Sequence, residues 1–186
     1  MRSTLIIILS FVFLCPVFAQ ETTPKKLTRK ERKELRKQER QRIRAENLAK
    51  TRQIADSMNF ILQAHTFVTR YGNTIPVNST VNFFATDGEN ATIQLALSDF
   101  IMGANGVGGI TIDGMVSKYK AIKQKHATTL LIDVFTALGT YHVTVYANYG
   151  GISTLRVVTM RGQRFELQGT LLPLEENFAF KGTPSY

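Results

Sequence analysis

Several groups of residues in this chain invite a chemical reading by type and spacing, and one more is set apart by its charge. A hydrolytic set can be written from Ser153, His142 and Asp133. The serine lies in "GGISTL", without the Gly-x-Ser-x-Gly turn that lifts a nucleophile clear of a strand, so no catalytic residue is assigned. His65, His126 and His142 each fall in or beside a strand-like stretch, with no second His or carboxylate at metal-ligand spacing. No metal and no cofactor are expected. Asp99, Asp113 and Asp133 are scattered, and Glu175 and Glu176 sit near the end of the chain, so paired carboxylates are absent. "GANGVGG" (103–109) invites comparison with phosphate loops, which work by presenting the free N–H groups of a following helix to an anion. Here the strand-like "ITID" follows, and a loop that needs left-handed backbone is the better account. Arg156, Arg161 and Arg164 gather around the last hairpin, with Phe165 and Tyr146 near in the pattern; basic and aromatic groups together bind nucleic acid or glycans. These three arginines are the candidate binding residues of the β part, although alternation places Arg156 and Arg164 on solvated faces in any case.

The group set apart by charge is "KKLTRKERKELRKQERQRIRAENLAKTR", Lys25 to Arg52. It holds 13 Lys/Arg and 4 Glu, a net of +9, which is the formal net charge of the whole chain. From Gln53 to Tyr186 nine basic residues balance nine acidic ones. The sequence pI near 9.8 is therefore a property of one segment. With no Gly or Pro from Lys25 to about Met58, and many strong helix formers, a helix is expected there. Leu27, Leu35 and Ile43 drift round such a helix by about 80° a step and form no apolar stripe. Only its end, at Leu48, Ile54, Ala55 and Met58, has residues to dock on a core. A solvated helix in contact with an anionic surface is the functional reading, with Arg29, Arg32, Lys33, Arg36, Lys37 and Arg40 as the contact residues.

Ahead of this segment, Arg2, the run "LIIILSFVFL" and then "CPVFAQ" make a basic start, an apolar stretch and a small-residue cleavage site. The apolar run of about 15 residues is shorter than the roughly 20 that span a bilayer. Export with cleavage after Ala19 is expected, placing the protein in the periplasm or associated with the outer envelope. An uncleaved anchor is the alternative. Cleavage would remove Cys15, the one cysteine, and with it disulfide and thiolate chemistry.

From Phe60 the hydrophobic period changes to two. "YHVTVYANY" sets Tyr141, Val143, Val145 and Ala147 on one face against His142, Thr144, Tyr146 and Asn148 on the other, a half-buried antiparallel strand. "VNFFATDGENATIQLAL" gives two strands around the Asp87-Gly88 turn signal. Further strands are expected at 60–69, 109–113, 116–123, 129–135, 152–160 and 164–172. The fold expected is mainly β, an antiparallel β-sandwich or barrel-like sheet of about eight strands preceded by one charged N-terminal α-helix. The divisions are a signal peptide at 1–19, a basic helical segment at 20–58, a β domain at 59–174 and a flexible tail at 175–186.

"NGVGGITIDG" (105–114) and "YHVTVYANYGGISTLRVVTMRGQRFELQGTLLP" (141–173) resemble the domain of unknown function 4251 family, exported proteins of Bacteroidetes-type bacteria. "FILQAHTFV" and the charged helix add to the likeness, which covers roughly residues 45 to 173. "LALSDF" stands where many members show a Leu-Pro-Tyr segment. The resemblance implies fold and export, and with no assigned activity it implies no catalytic residue. The expected function is a non-enzymatic envelope protein whose β domain binds a ligand or serves as structure, its partner an envelope ligand or protein. Anionic lipid or lipopolysaccharide binding through the basic helix is the alternative, and a hydrolase with an illegible site the remote one. Nucleic acid is not an expected partner, because the basic segment lies just behind an export signal.

Overall fold

The computed structural model describes residues 27–69, 71–97 and 108–184. The expected export signal, the lead at 20–24, Asp99 and the glycine-rich loop up to residue 107 lie outside the described residues. A helix, α1 (Arg29–Ser57), is followed by nine strands: β1 (Phe60–Val68), β2 (Thr74–Pro76), β3 (Phe83–Thr86), β4 (Asn90–Ala96), β5 (Gly109–Lys123), β6 (Ala127–Thr136), β7 (Gly139–Asn148), β8 (Ile152–Thr159) and β9 (Arg164–Pro173). Every pairing is antiparallel, and β1 pairs with β9 over most of its length, so eight strands close a barrel. The short β2 is an extra strand beside the second half of β1. Its brevity, and Pro76 at its end, suit an edge. They also hide it in the sequence.

Alternation carries one set of side chains inward all the way round. Leu62 stands opposite Phe84, Phe84 opposite Ile93, and Ile93 opposite Ile112. Ile132, Val143 and Val157 continue the ring. All of these are buried in one cluster, as expected for an eight-stranded barrel just wide enough to be filled by its own side chains. Two bulges bend the sheet, one in β1 between Ala64 and Thr66 and one in β5 between Val116 and Lys118. Gly169 lies opposite Ala64 where the barrel closes, and a Cβ there would stand 1.9 Å from the Gln63 carbonyl oxygen. Only glycine permits that approach.

The stretches 109–113 and 116–123, expected as two strands, form one strand of 15 residues. Gly114 reads as a break in the pattern, but it is a close-approach position. A Cβ there would meet the Phe135 carbonyl oxygen at 2.5 Å.

α1 begins with a capping box. The Thr28 hydroxyl accepts from the Glu31 amide at 3.3 Å, while the Glu31 carboxylate accepts from the Thr28 amide at 2.7 Å. The helix ends at Met58 in left-handed backbone (φ 57°) against Gly88. Its last two turns lie across one mouth of the barrel. Ile54 and Ala55 enter the core cluster, the first contributing about 2 kcal/mol by burial alone. Leu27, Leu35 and Ile43 stay exposed.

The residues after β9, expected to trail free, lie along the outer face of β3 and β4. Gln94 faces outward on β4 yet is fully buried beneath them. Its Nε2 donates to Phe180 O (2.8 Å) and Val81 O (3.1 Å), and its Oε1 accepts from Gly182 N (2.7 Å) and Thr111 Oγ1 (3.0 Å). Lys181 adds an ion pair to Asp113. With every hydrogen-bonding capacity of this amide used, Gln94→Ala should lower stability by about 2 kcal/mol. It should also expose the chain near Phe180 to limited proteolysis, read as early loss of the C-terminal peptide by mass spectrometry.

Candidate binding surface

The filled barrel leaves its outside as the place to look for a candidate site. The hydrolytic set does not assemble there. Asp133 and His142 meet on the outer face, Nδ1 to Oδ1 2.7 Å, but Ser153 pairs with Ala147 and points inward, where it is buried. The three histidines also stay apart. His65 meets the Thr170 hydroxyl at 2.9 Å on the outside of β1, and His126 packs edge-on against Tyr149.

Of the three candidate arginines the structure gathers two. Arg156 and Arg164 line a groove of about 340 Å³ with Val68, Thr69, Phe165 and Glu166. Arg156 pairs with Glu166 at 3.1 Å, and Arg164 has no carboxylate partner among the described residues. Arg161 lies in the β8–β9 turn instead. There its charge bears on Tyr141, whose hydroxyl burial raises and Arg161 partly restores.

The larger charged feature is α1. Its C-terminal half is tied to the rim of the mouth by side chains that sequence patterning does not single out. Tyr119 Oη donates to Ala55 O at 2.7 Å, Arg52 to Gln124 O at 3.0 Å and Asn47 to Tyr149 O at 3.2 Å. Lys123 pairs with Asp56, and Lys50 with Glu176. Arg44 is the outermost residue of α1 tied to the barrel, its guanidinium 4.9 Å from the Tyr149 ring centre, a cation–π contact. From Arg29 to Arg40 the helix is exposed on all sides and projects about 18 Å past the rim.

Charge on this arm is sorted by face. Projected at about 100° per residue, Arg29, Lys33, Lys37, Arg40 and Arg44 fall within about 40° of one line along the helix. The four arm glutamates lie about 100° or more away, and Glu39 and Glu46 are engaged by Arg42 on the back. Five cations, Lys33, Arg36, Lys37, Arg40 and Arg44, line one shallow groove of about 440 Å³ with Gln41. Of the six contact residues expected from the sequence, Arg29, Lys33, Arg36, Lys37 and Arg40 share this side. Arg32 turns away, donating to Leu27 O at 3.0 Å. Arg44 and Tyr149 were legible only as ordinary residues of a helix and a turn; the signal for Arg44 was its helical spacing from Lys33, Lys37 and Arg40.

Comparison with known proteins accords with the fold. A family model described as a domain of unknown function, DUF4251, matches residues 42–171. The chain belongs to the DUF4251 family. No curated protein matches this DUF4251 chain. A crystal structure of a DUF4251 family protein from Bacteroides eggerthii is similar to it, at 25% identity and a TM-score of 0.60 over 70% of this chain and 90% of that one. The family match starts at Arg42, so the projecting arm lies ahead of it.

Tyr119 reports on whether the helix is seated. Burial, with Asp56 adding to it, pushes its hydroxyl up to about 12. The folded pKa is raised above the unfolded value near 10, so this group's stabilisation is intact below pH 10 and is lost as pH rises from about 10 to about 12. Tyr119→Phe should flatten the alkaline arm of the stability–pH profile in that window and lower stability at neutral pH by about 1 kcal/mol, measured by urea unfolding.

Proposed function

We propose that this DUF4251 protein is exported and non-enzymatic, and that it engages an anionic component of the cell envelope through the projecting part of α1. One observation carries the reading: Lys33, Arg36, Lys37, Arg40 and Arg44 line one groove with no carboxylate partner among the described residues, while Glu39 and Glu46 are engaged by Arg42 on the other face. A merely solvated helix gains from alternating charges at i and i+4, whereas like charges on one face repel by a few tenths of a kcal/mol per pair. Such an arrangement is offset when an anion occupies the face. Export is supported by the apolar run and the Val17/Ala19 cleavage pattern, and N-terminal sequencing of the mature protein should begin at Gln20.

The test of the arm uses dextran sulfate as a generic polyanion. Binding should be strong at low salt and fall steeply by 0.15 M, where the screening length is about 8 Å. Deleting residues 25–40, which leaves the docked half of the helix in place, should abolish it. Binding retained by the deletion, or indifferent to salt, would overturn the reading.

A second reading rests on a different observation. Arg164 faces the groove beside Phe165 without a carboxylate partner among the described residues, so the β domain offers a small site for a ligand carrying one anionic group on an apolar body. The filled interior removes the barrel lumen as the place for such a ligand.

A further inference from the structure

The cationic line of α1 runs on without a break into the face that docks. Asn47, Thr51 and Ala55 fall within about 40° of the line through Lys33, Lys37 and Arg40, and Ala55 is buried in the barrel mouth. The cations therefore look toward the barrel side of the helix. Past the rim, the underside of the arm and the outer wall of the barrel form an inside corner. Tyr149 and His126 stand at its apex, in a hollow of about 290 Å³ shared with Arg44 and Leu48.

The wall below the corner is short of negative charge. Between Ser117 and Ile132 there is no Asp or Glu, and between Val134 and Phe165 there is none either, leaving Asp133 alone among them, engaged by His142. Lys120 is exposed on β5, and Lys125 is exposed in the turn that carries His126. Tyr146, exposed on β7, offers an aromatic face beneath Tyr149.

From this shape we infer that the occupant is a linear acidic polysaccharide, a chain of uronate-type sugars lying in the corner. The inference rests on the reading of the arm as an anion-binding element and narrows its partner. A flat bilayer meets convex or planar surfaces, and here the barrel wall stands in the way of a plane approaching the cationic face. A flexible chain can follow the line from Arg29 to Arg44, about 22 Å long, and reach the apex. Cations about one helical turn apart suit a polymer with one carboxylate per sugar, and the aromatic rings at the corner suit the apolar faces of sugars.

The experiment compares three probes on the full mature chain: polygalacturonate, vesicles containing phosphatidylglycerol, and single-stranded DNA. Polygalacturonate should bind, and K33Q/R40Q should weaken it about tenfold. R32Q/R42Q removes an equal number of charges from the other faces and should change affinity less than about twofold. Tyr149→Leu should weaken the polysaccharide and leave any vesicle binding unaltered. All substituted side chains are solvent-facing or at the rim, and unchanged melting temperatures establish that each variant is folded. Equal loss in the two double variants would mean that net charge alone acts, and would overturn the inference. Tighter binding to vesicles or to DNA than to polygalacturonate would overturn it while leaving the anionic arm standing. Binding to none of the three would overturn both.

Discussion

Everything in this structure depends on the pairing of β1 with β9. These strands are separated by some hundred residues of chain, yet they share a register from Phe60↔Pro173 to Val68↔Glu166. That pairing removes the sheet edges that an open antiparallel sheet would have to protect. It also turns eight amphipathic strands into one enclosed core. Closure costs loop entropy, which is recovered only when the inward residues of all strands meet. Gly169 and the bulge at β1 make the approach sterically allowed.

A closed barrel of eight strands has two mouths, and one is covered by α1. Ile54 and Ala55 fill the mouth because they are the apolar pair on the docking face of the last turns. Tyr119 then donates from β5 to the Ala55 carbonyl of the helix, while Asn47 and Arg52 donate from the helix to the rim carbonyls of Tyr149 and Gln124. Since a helix is stiff, seating its last three turns sets the direction of all the others. Among the described residues the arm is held out without a contact to the barrel beyond Arg44. It is supported by a capping box, worth about 1 kcal/mol, and by Arg42 bridging Glu39 and Glu46 on the back. These small terms add to the strong helix propensity of the sequence, which is why the arm needs no apolar stripe. The surface ion pairs themselves contribute little to stability; their consequence is to leave the opposite face unneutralised.

How much was legible beforehand differs from element to element. β7 was plain in Tyr141–Asn148, because strict alternation has no other reading. The hairpin at Asp87-Gly88 was equally plain, and the structure adds its mechanism: the Asp87 carboxylate accepts from the Asn90 and Glu89 amides, which hold it ionised to lower pH. The exposed course of Leu27, Leu35 and Ile43 followed from their spacing alone. By contrast, β5 reads in sequence as two strands, 109–113 and 116–123, since a glycine that ends a strand and one that admits a neighbouring carbonyl look identical there. β2 was missed because three residues are too few to show a period. The meeting of Arg156 and Arg164 in one groove, and the separation of Arg161, depended on register across the β8–β9 hairpin. Burial of Gln94 under the C-terminal residues had no local signal, because the groups that satisfy it lie as many as 88 positions away.

By itself the sequence determined that the net charge sits in one helical segment, that the rest is an antiparallel β domain, and that no catalytic constellation recurs at diagnostic spacing. Those are properties of composition and period, carried by residues within a few positions of one another. Tertiary structure decided that the barrel closes and is filled, that Ser153 parts from His142 and Asp133, and that the cations of α1 look into a corner with Tyr149 at its apex. Each of these depends on which faces of distant elements meet. The same periodicity of two serves a sandwich and a barrel alike, and a line of cations on a helix acquires a direction only when the end of that helix is fixed.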